Sequence, residues 1–389
     1  MNRIGAHGLA ARIANAVVVA LAIAWWVTPA AFAQVAAPAT PAAAAPAAAQ
    51  PTAPSTPLRG IWISPPSSTD VIPGVMRTIR GAGLDTVVLP VFYDGRVIYP
   101  SRVFPQHDAY SGSDPAALFI QETHRRAMRA FAAVDLLYWQ SSDDPSPAVT
   151  GHPQWLERTP EGKIIGDVAG RRGAFVSPCE ARVKSLLTEL ASELASRYDF
   201  DGLVLDYARW SRIDFLGYAD ADRKLYLSEQ QTDPLDVDLL GYATPDNMIS
   251  SLVSWQEKQI AAVVEATAQA FKRGEPRAVV IAVVEGNYYA DRVASPVRQD
   301  WRSWLSRDWL QAAAPRQLAY ADPAVVRSQL QAMAGISAPP VVALIRRSNA
   351  LPVLPQMAVA TQLGLRGFIL WGRDSLEQRR AILRELGAY

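Results

Sequence analysis

Short apolar runs, each about as long as a β-strand, recur from Leu58 onward and alternate with longer amphipathic stretches. Several runs are almost continuous in Val, Ile and Leu, which is typical of parallel strands that are covered on both faces. The pattern predicts eight strands, at Leu58–Ser64, Asp85–Phe92, Val134–Trp139, Gly202–Ala208, Ala278–Glu285, Gln317–Ala321, Val341–Ile345 and Gly367–Trp371.

The stretches between the runs have the spacing and the end signals of helices. Leucines recur at helical intervals within Glu180–Tyr198, and a long amphipathic stretch covers Asn247–Phe271. Asp322-Pro323 is a typical helix start, because an Asp caps free N–H groups and a Pro fits the first helical position. Eight strands that alternate with helices predict an α/β fold, a (β/α)8 TIM barrel over residues 58–389. The absence of a G-x-G-x-x-G or Walker motif disfavours a nucleotide-binding open sheet.

Residues 1–33 have the pattern of a secretory signal peptide. Arg3 and Arg12 flank the start of the segment, Val17–Val27 is an apolar run, and Ala31-Phe32-Ala33 forms an A-x-A cleavage site. An uncleaved membrane anchor is the alternative, because the apolar stretch Ile13–Ala33 is long enough to span a bilayer. We favour cleavage, which leaves no membrane span and predicts a periplasmic or secreted protein.

Residues 34–57 are almost entirely Ala, Pro, Thr and Gln, without charged or aromatic side chains. Such a segment cannot bury a core, so we predict a disordered Ala/Pro-rich linker in front of the barrel.

Composition and motifs exclude several functional classes. The formal net charge of +1 gives no electrostatic reason to expect a nucleic acid as partner. A single cysteine, Cys179, excludes an intramolecular disulfide and a cysteine-rich zinc site. The four histidines lack H-x-x-x-H or H-E-x-x-H spacing, and no G-x-S-x-G motif occurs, so neither a zinc hydrolase nor an α/β-hydrolase is supported. We expect no metal and no cofactor.

Carboxylate side chains stand where the predicted strands end. In a parallel barrel these ends share one face, on which barrel enzymes build their sites. Asp206 ends the fourth run and Glu285 ends the fifth. A carboxyl group at the edge of an apolar run is poorly solvated, which disfavours its charged form. Because glycoside hydrolysis requires two carboxyl groups on either side of the scissile bond, Asp206 and Glu285 are the candidate catalytic pair.

Structural alternatives exist for these residues. Asp206 could pair with Arg209, and Glu285 could form a rim salt bridge with Arg292 or Arg316. The position at a strand end favours a catalytic role for Asp206, whereas both interpretations of Glu285 stay open. Asp94, which precedes Gly95 after the second run, fits either a plain turn or a residue that reaches the site.

Aromatic residues accompany the carboxylates. Flat rings match the apolar C–H faces of sugars, while Asp, Asn and Arg match the hydroxyl groups. We therefore predict a carbohydrate cleft whose substrate-binding residues are Trp139, Trp210, Trp371, Tyr207, Tyr288, Arg209 and Asp94.

Five stretches of the sequence form an ordered set, namely Arg59–Trp62, Tyr99–Ser101 with Asp114-Pro115, His152–Leu156, Asp201–Arg209 and Gln299–Trp304. Together they resemble the glycosyl-hydrolase-like TIM-barrel family, also described as glycoside hydrolase 10-like. The resemblance implies a barrel with a carbohydrate-active role and places Asp206 on the family's fourth-strand aspartate. Tyr207 stands where many relatives carry a second acidic residue, and Arg346-Arg347 stand where retaining barrel glycosidases place their second carboxylate.

Two functions fit this sequence. The first is a glycoside hydrolase that cleaves a polysaccharide or oligosaccharide by a carboxylate acid/base mechanism. The alternative is a non-catalytic glycan-binding barrel used in polysaccharide assembly or attachment. In both cases we expect a monomer.

Overall fold

The computed structural model describes residues 57–65, 68–141, 146–164, 166–168, 171–239, 244–286, 288–316, 322–334, 340–346, 353–371, 383 and 386. All of them belong to the compact unit Thr52–Tyr389. The predicted signal peptide and all but the last residue of the predicted linker lie outside the described residues. No helix within the described ranges is long and apolar enough to cross a bilayer.

The described residues form strands that follow the predicted alternation with helices. In chain order these strands are β1 (Leu58–Trp62), β2 (Thr86–Tyr93), β3 (Arg96–Val97), β4 (Arg129–Asp135), β5 (Tyr138–Ser141), β6 (Gly166–Val168), β7 (Arg171–Phe175), β8 (Gly202–Asp206), β9 (Val279–Glu285), β10 (Ala312–Arg316), β11 (Ala343–Ile345) and β12 (Gly367–Leu370).

Eight of the strands form a parallel barrel. Their order around the sheet is β10, β9, β8, β4, β2, β1, β12 and β11. The amide of Ala313 in β10 donates to Pro340 O, and the amide of Val342 donates to Ala313 O, so the residues leading into β11 return to β10. These bonds close the sheet, as the sequence pattern predicted.

The helices cover the outside of this sheet. α4 shows why they form, since Leu186, Leu190 and Leu194 recur on one buried face. At the start of α2 the Asp114 carboxylate caps the helix by accepting the Ala117 amide at 3.0 Å. The helices are α1 (Ile72–Gly81), α2 (Pro115–His124), α3 (Pro147–Thr150), α4 (Ala181–Arg197), α5 (Asp220–Gln230), α6 (Asp246–Gly274), α7 (Trp301–Ser306), α8 (Pro323–Ala334) and α9 (Val353–Gln362).

The third barrel strand differs from the prediction of Val134–Trp139. β4 ends at Asp135, and the chain then leaves the barrel to form β5, which pairs antiparallel with β7 in a separate three-stranded sheet. The prediction was wrong because residues 136–139 are as apolar and buried as the strand itself. Hydrophobicity reports burial, and it does not report which neighbouring strand provides the hydrogen bonds.

The sixth barrel strand also differs from its predicted position. Gln317–Ala321 lies outside the described residues, and β10 occupies the sixth position five residues earlier, in register with β9 from Ala312 against Ile281 to Arg316 against Glu285. Alanine has a low intrinsic preference for strands, so the run Ala312–Ala314 gave no strand signal. Tertiary packing selects it, because small side chains fit the filled barrel interior.

Side chains fill the inside of the barrel. Trp62, Phe131 and Ile281 are fully or almost fully buried there, together with smaller aliphatic side chains from the other barrel strands. A larger apolar cluster packs the outer faces of the strands against the helices. Because the interior is closed by packing, a ligand can reach this fold only at the strand ends and their loops.

Gly367 begins β12, opposite Leu58 of β1. Its φ is +113°, and a Cβ at this position would lie 2.1 Å from the Leu58 carbonyl oxygen. We expect Gly367→Ala to lower the free energy of unfolding by about 3 kcal/mol, measured by urea denaturation. Gly364→Ala is the matched control, since its φ is +64° but nothing lies within 4 Å. That variant should lose about 1 kcal/mol, and equal losses would exclude the close strand contact as the cause.

Candidate active site

A cleft of about 200 Å³ opens at the carboxyl ends of the barrel strands. Its walls combine carboxylates with aromatic rings, which is the combination that the sequence predicted for this face. The lining residues are Trp62, Ser64, Pro65, Pro90, Tyr93, Tyr110, Asp135, Asp206, Tyr207 and Trp371.

Two aspartates stand side by side in this cleft. Asp135 ends β4 and Asp206 ends β8, and the two residues are paired in register between these parallel strands. Neighbouring strands lie about 4.8 Å apart, so the two side chains leave the sheet as close neighbours. Each residue is only 4% exposed. Sequence reasoning missed Asp135 because the third strand was predicted to continue past it.

Arg316 is the ionic partner of Asp206. It ends β10, and its guanidinium forms a salt bridge with Asp206 Oδ1. The same oxygen accepts the Tyr207 amide at 2.7 Å. Both side chains of the ion pair are almost completely buried, so their attraction is poorly screened by water. The sequence suggested Arg209 as the partner of Asp206, whereas the structure uses a residue 110 positions away.

Glu285 belongs to a different ion-pair network. Its carboxylate lies 3.3 Å from Arg209 Nε and 3.3 Å from Arg212 Nε. Glu285 is buried and is not among the residues that line the cleft. Burial lowers the pKa of Arg209, and the charge of Glu285 opposes that shift. The rim salt bridge expected as the alternative for Glu285 is therefore present, with partners other than Arg292 and Arg316.

Tyr207 connects the two ion pairs. Its ring stacks on Tyr138 with centroids 4.9 Å apart, and the guanidinium carbons of Arg209 and Arg316 lie 5.1 and 5.3 Å from its centroid. Its φ of 48° is in the left-handed region, which is rare for a bulky residue. Such strain persists only where the surroundings hold it in place, and it is concentrated at functional sites.

The predicted aromatic residues separate into two groups. Tyr207 and Trp371 line the cleft, and Arg316 lies 4.7 Å from the Trp371 ring centroid. Trp139 and Trp210 are completely buried, and neither contributes to the cleft wall. Strand-end position did not distinguish the groups, since Trp139 lies in β5 outside the barrel.

Two other predicted binding residues also lie away from the cleft. Tyr288 is buried and donates a hydrogen bond to the Glu257 carboxylate. Asp94 occupies the turn between β2 and β3, with a φ of 49°. Aromatic residues that the sequence did not assign complete the wall, namely Trp62, Tyr93 and Tyr110. Tyr110 comes from the 3-10 helix between β3 and α2, which no strand-end rule could find.

Among the described residues, no group of three His, Cys, Asp or Glu side chains is placed to hold a metal ion.

A parallel eight-stranded barrel with carboxylates and aromatic rings at the carboxyl ends of its strands has the architecture of glycoside hydrolase barrels. The sequence model of the glycosyl hydrolase-like 10 family matches residues 57–338. The chain belongs to this family, which confirms the resemblance drawn from the sequence motifs.

Known proteins agree with this assignment. Glycosyl hydrolase DigH of Escherichia coli (strain K12) is 23% identical in an alignment of 316 residues, gaps included, that covers 67% of this chain and 65% of that protein. The match therefore spans somewhat less than two thirds of that relative. The PgaB (BpsB) glycoside hydrolase domain from Bordetella bronchiseptica has a similar structure, with a TM-score of 0.60 and 15% identity over 85% of this chain and 98% of that chain.

A further solved structure has the same fold. The catalytic domain of β-amylase from Paenibacillus polymyxa has a TM-score of 0.55 and 11% identity, and it covers 81% of this chain and 92% of that chain. At these identities the structural matches show a shared barrel fold.

Proposed function

We propose that this protein is a glycoside hydrolase that cleaves a polysaccharide at the cleft containing Asp206. One observation carries the proposal: Asp135 and Asp206 project side by side into a cleft lined by aromatic rings. The family assignment and the fold of its relatives agree with this chemistry. The segment 1–33 further supports export to the periplasm or the medium, where polysaccharides are accessible.

The two aspartates have different electrostatic surroundings, which suits an acid/base pair. Arg316 and the Tyr207 amide both bind Asp206 Oδ1, so we assign Asp206 the role of nucleophile or base. Asp135 would then protonate the leaving oxygen of the glycosidic bond. Glu285, which Arg209 and Arg212 hold outside the cleft, is the other candidate for the second carboxyl group.

The aromatic residues supply the binding surface in this proposal. Trp371, Trp62 and Tyr93 reach the cleft from β12, β1 and β2, and they can contact the C–H faces of sugar rings. The Arg316 guanidinium, which pairs with Asp206, also lies against the Trp371 ring. Trp371 would therefore contact both the substrate and the ion pair of Asp206.

A non-catalytic glycan-binding barrel is the second candidate. The observation that favours it is the Arg316 salt bridge, because an aspartate already neutralised by a buried arginine can serve as a structural residue. In that case the same aromatic cleft would hold a glycan without cleaving it.

Incubation of the purified protein with a panel of polysaccharides distinguishes the two candidates. We expect at least one glycan to be cleaved, which appears as release of new reducing ends, and the same glycan to be retained on immobilised protein. Retention without release would select the binding barrel instead. Neither retention nor release for any glycan would contradict both proposals.

A further inference from the structure

Two carboxyl groups face each other in a fully buried position that is separate from the cleft. Glu157 belongs to the long loop between β5 and β6, and Asp222 to the first turn of α5. Both residues are almost inaccessible to solvent, and neither lines the cleft. Their carboxyl groups are within hydrogen-bonding reach of each other, so the pair joins the β5–β6 loop to the start of α5.

Each carboxyl group has one satisfied and one unsatisfied oxygen. Glu157 Oε2 accepts the Gly217 amide at 2.9 Å, and Asp222 Oδ2 accepts the Ser177 hydroxyl at 2.8 Å. Glu157 Oε1 and Asp222 Oδ1 have no donor among the described residues. A proton shared between the two carboxyl groups would give each group one further hydrogen-bonded oxygen. Without that proton the pair would consist of two buried negative charges.

Among the described residues, no cation compensates the pair. Within the described part of the chain, no lysine, arginine or histidine forms a salt bridge with Glu157 or Asp222. The adjacent guanidinium groups point elsewhere, since Arg158 donates to Gly162 O and Arg223 binds Asp233. The titratable group facing the pair from the segment before α4 is the Cys179 thiol.

The long helix α6 packs in the same region and brings no free charge toward the pair. Its Glu257 is bound by Arg292, and its Gln256 donates to the carbonyl of Leu216 next to Gly217. Burial raises the pKa of the Cys179 thiol, and the neighbouring Asp222 raises it further, so the thiol stays neutral. The proton balance of this region is therefore set by Glu157 and Asp222.

Burial raises the pKa of Asp222 to about 6. Burial, followed by the charge of Asp222, raises the pKa of Glu157 well above its usual value. Because both values are raised, the closed state binds more protons than a state in which the loops are solvated. The pair therefore stabilises the closed state fully at pH values below about 4, the ordinary carboxyl pKa. This stabilisation is lost as the pH rises through 6 and beyond.

We propose that Glu157 and Asp222 form a proton-dependent lock, which holds the β5–β6 loop against the start of α5 in acid and releases it as the pH rises. The segment around Glu157 is connected to the cleft through β7, because the Glu157 amide donates to Phe175 O at 2.9 Å. The Phe175 ring packs on Tyr138 and Tyr207, with centroids 5.2 and 6.4 Å apart. Opening of the lock would therefore loosen one wall of the cleft.

Hydrogen exchange of the full chain at pH 5 and pH 8, corrected for intrinsic exchange rates, tests this lock. We expect protection of residues 155–158 and 217–224 to fall at least about tenfold at pH 8 relative to α4, which serves as internal reference. Glu157→Gln supplies an amide N–H that can donate to the Asp222 carboxylate in place of the shared proton. In this variant, and in Asp222→Asn, only one buried carboxyl group is left to titrate, so the loss of protection at pH 8 should be clearly smaller than in the unmodified protein.

Asp220→Asn is the matched control, because Asp220 is exposed and lies in the same helical turn as Asp222. It should keep the pH dependence of the unmodified protein. Equal protection at both pH values in the unmodified protein would overturn the proposal, and so would a loss of protection at pH 8 that is undiminished in both amide variants. The readout is structural, so it is independent of whether the cleft cleaves a glycan.

Discussion

Asp206→Asn is expected to lower the turnover of a cleaved polysaccharide by roughly 10³-fold. Asparagine cannot carry the negative charge that a nucleophile or base requires, whereas its amide oxygen can still accept from Arg316 and from the Tyr207 amide. Glycan retention should therefore survive. The measurement is reducing-end release at saturating glycan, together with the urea midpoint of the same preparation.

Asp201→Asn provides the control for this experiment. Asp201 precedes the same strand at the opposite end of the barrel, where it binds His124 at 2.8 Å and the Ala130 amide at 2.8 Å. Its replacement should change stability and leave turnover per folded molecule intact. Unchanged turnover in Asp206→Asn, with both variants folded, would remove the catalytic assignment of Asp206.

Asp135→Asn and Glu285→Gln should separate the two candidates for the second carboxyl group. Asp135→Asn is expected to reduce turnover by about 10²- to 10³-fold, because the amide cannot protonate the leaving oxygen. Glu285→Gln should instead lower the free energy of unfolding by roughly 3 kcal/mol, since it leaves the buried Arg209 without a charged partner. Turnover per folded molecule should change little in Glu285→Gln.

A substrate with an activated leaving group sharpens this comparison. Such a leaving group departs without protonation, so it should restore much of the rate of Asp135→Asn if Asp135 is the general acid. The same substrate should not rescue Asp206→Asn. If Glu285→Gln loses turnover at unchanged stability while Asp135→Asn does not, the roles are reversed and Glu285 is the second catalytic group.

The cleft shows where sequence reasoning succeeded and where it failed. Asp206 was found because it ends an apolar run, and Trp371 because it ends the last one. Asp135 was missed because the apolar residues after it continue into β5, so the end of the barrel strand has no polar signal other than Asp135 itself. Trp139 was predicted to line the cleft for the same reason, and it is instead a buried residue of β5 in the small sheet.

The sequence by itself determined the architecture and one rim aspartate. Strand and helix periodicity is local, so the alternation from Leu58 onward specifies a parallel barrel before any contact is known. It also determined that acids and aromatic rings meet at one face, because parallel strands all end there.

Only the tertiary structure decided which of these residues meet. Asp135 stands beside Asp206 through the register of β4 and β8, and Arg316 reaches Asp206 from 110 residues away. Arg209, the sequence neighbour, turns instead to Glu285. Register and strand ends depend on hydrogen bonds and packing between segments distant in the chain, and no local pattern of hydrophobic and polar residues records them.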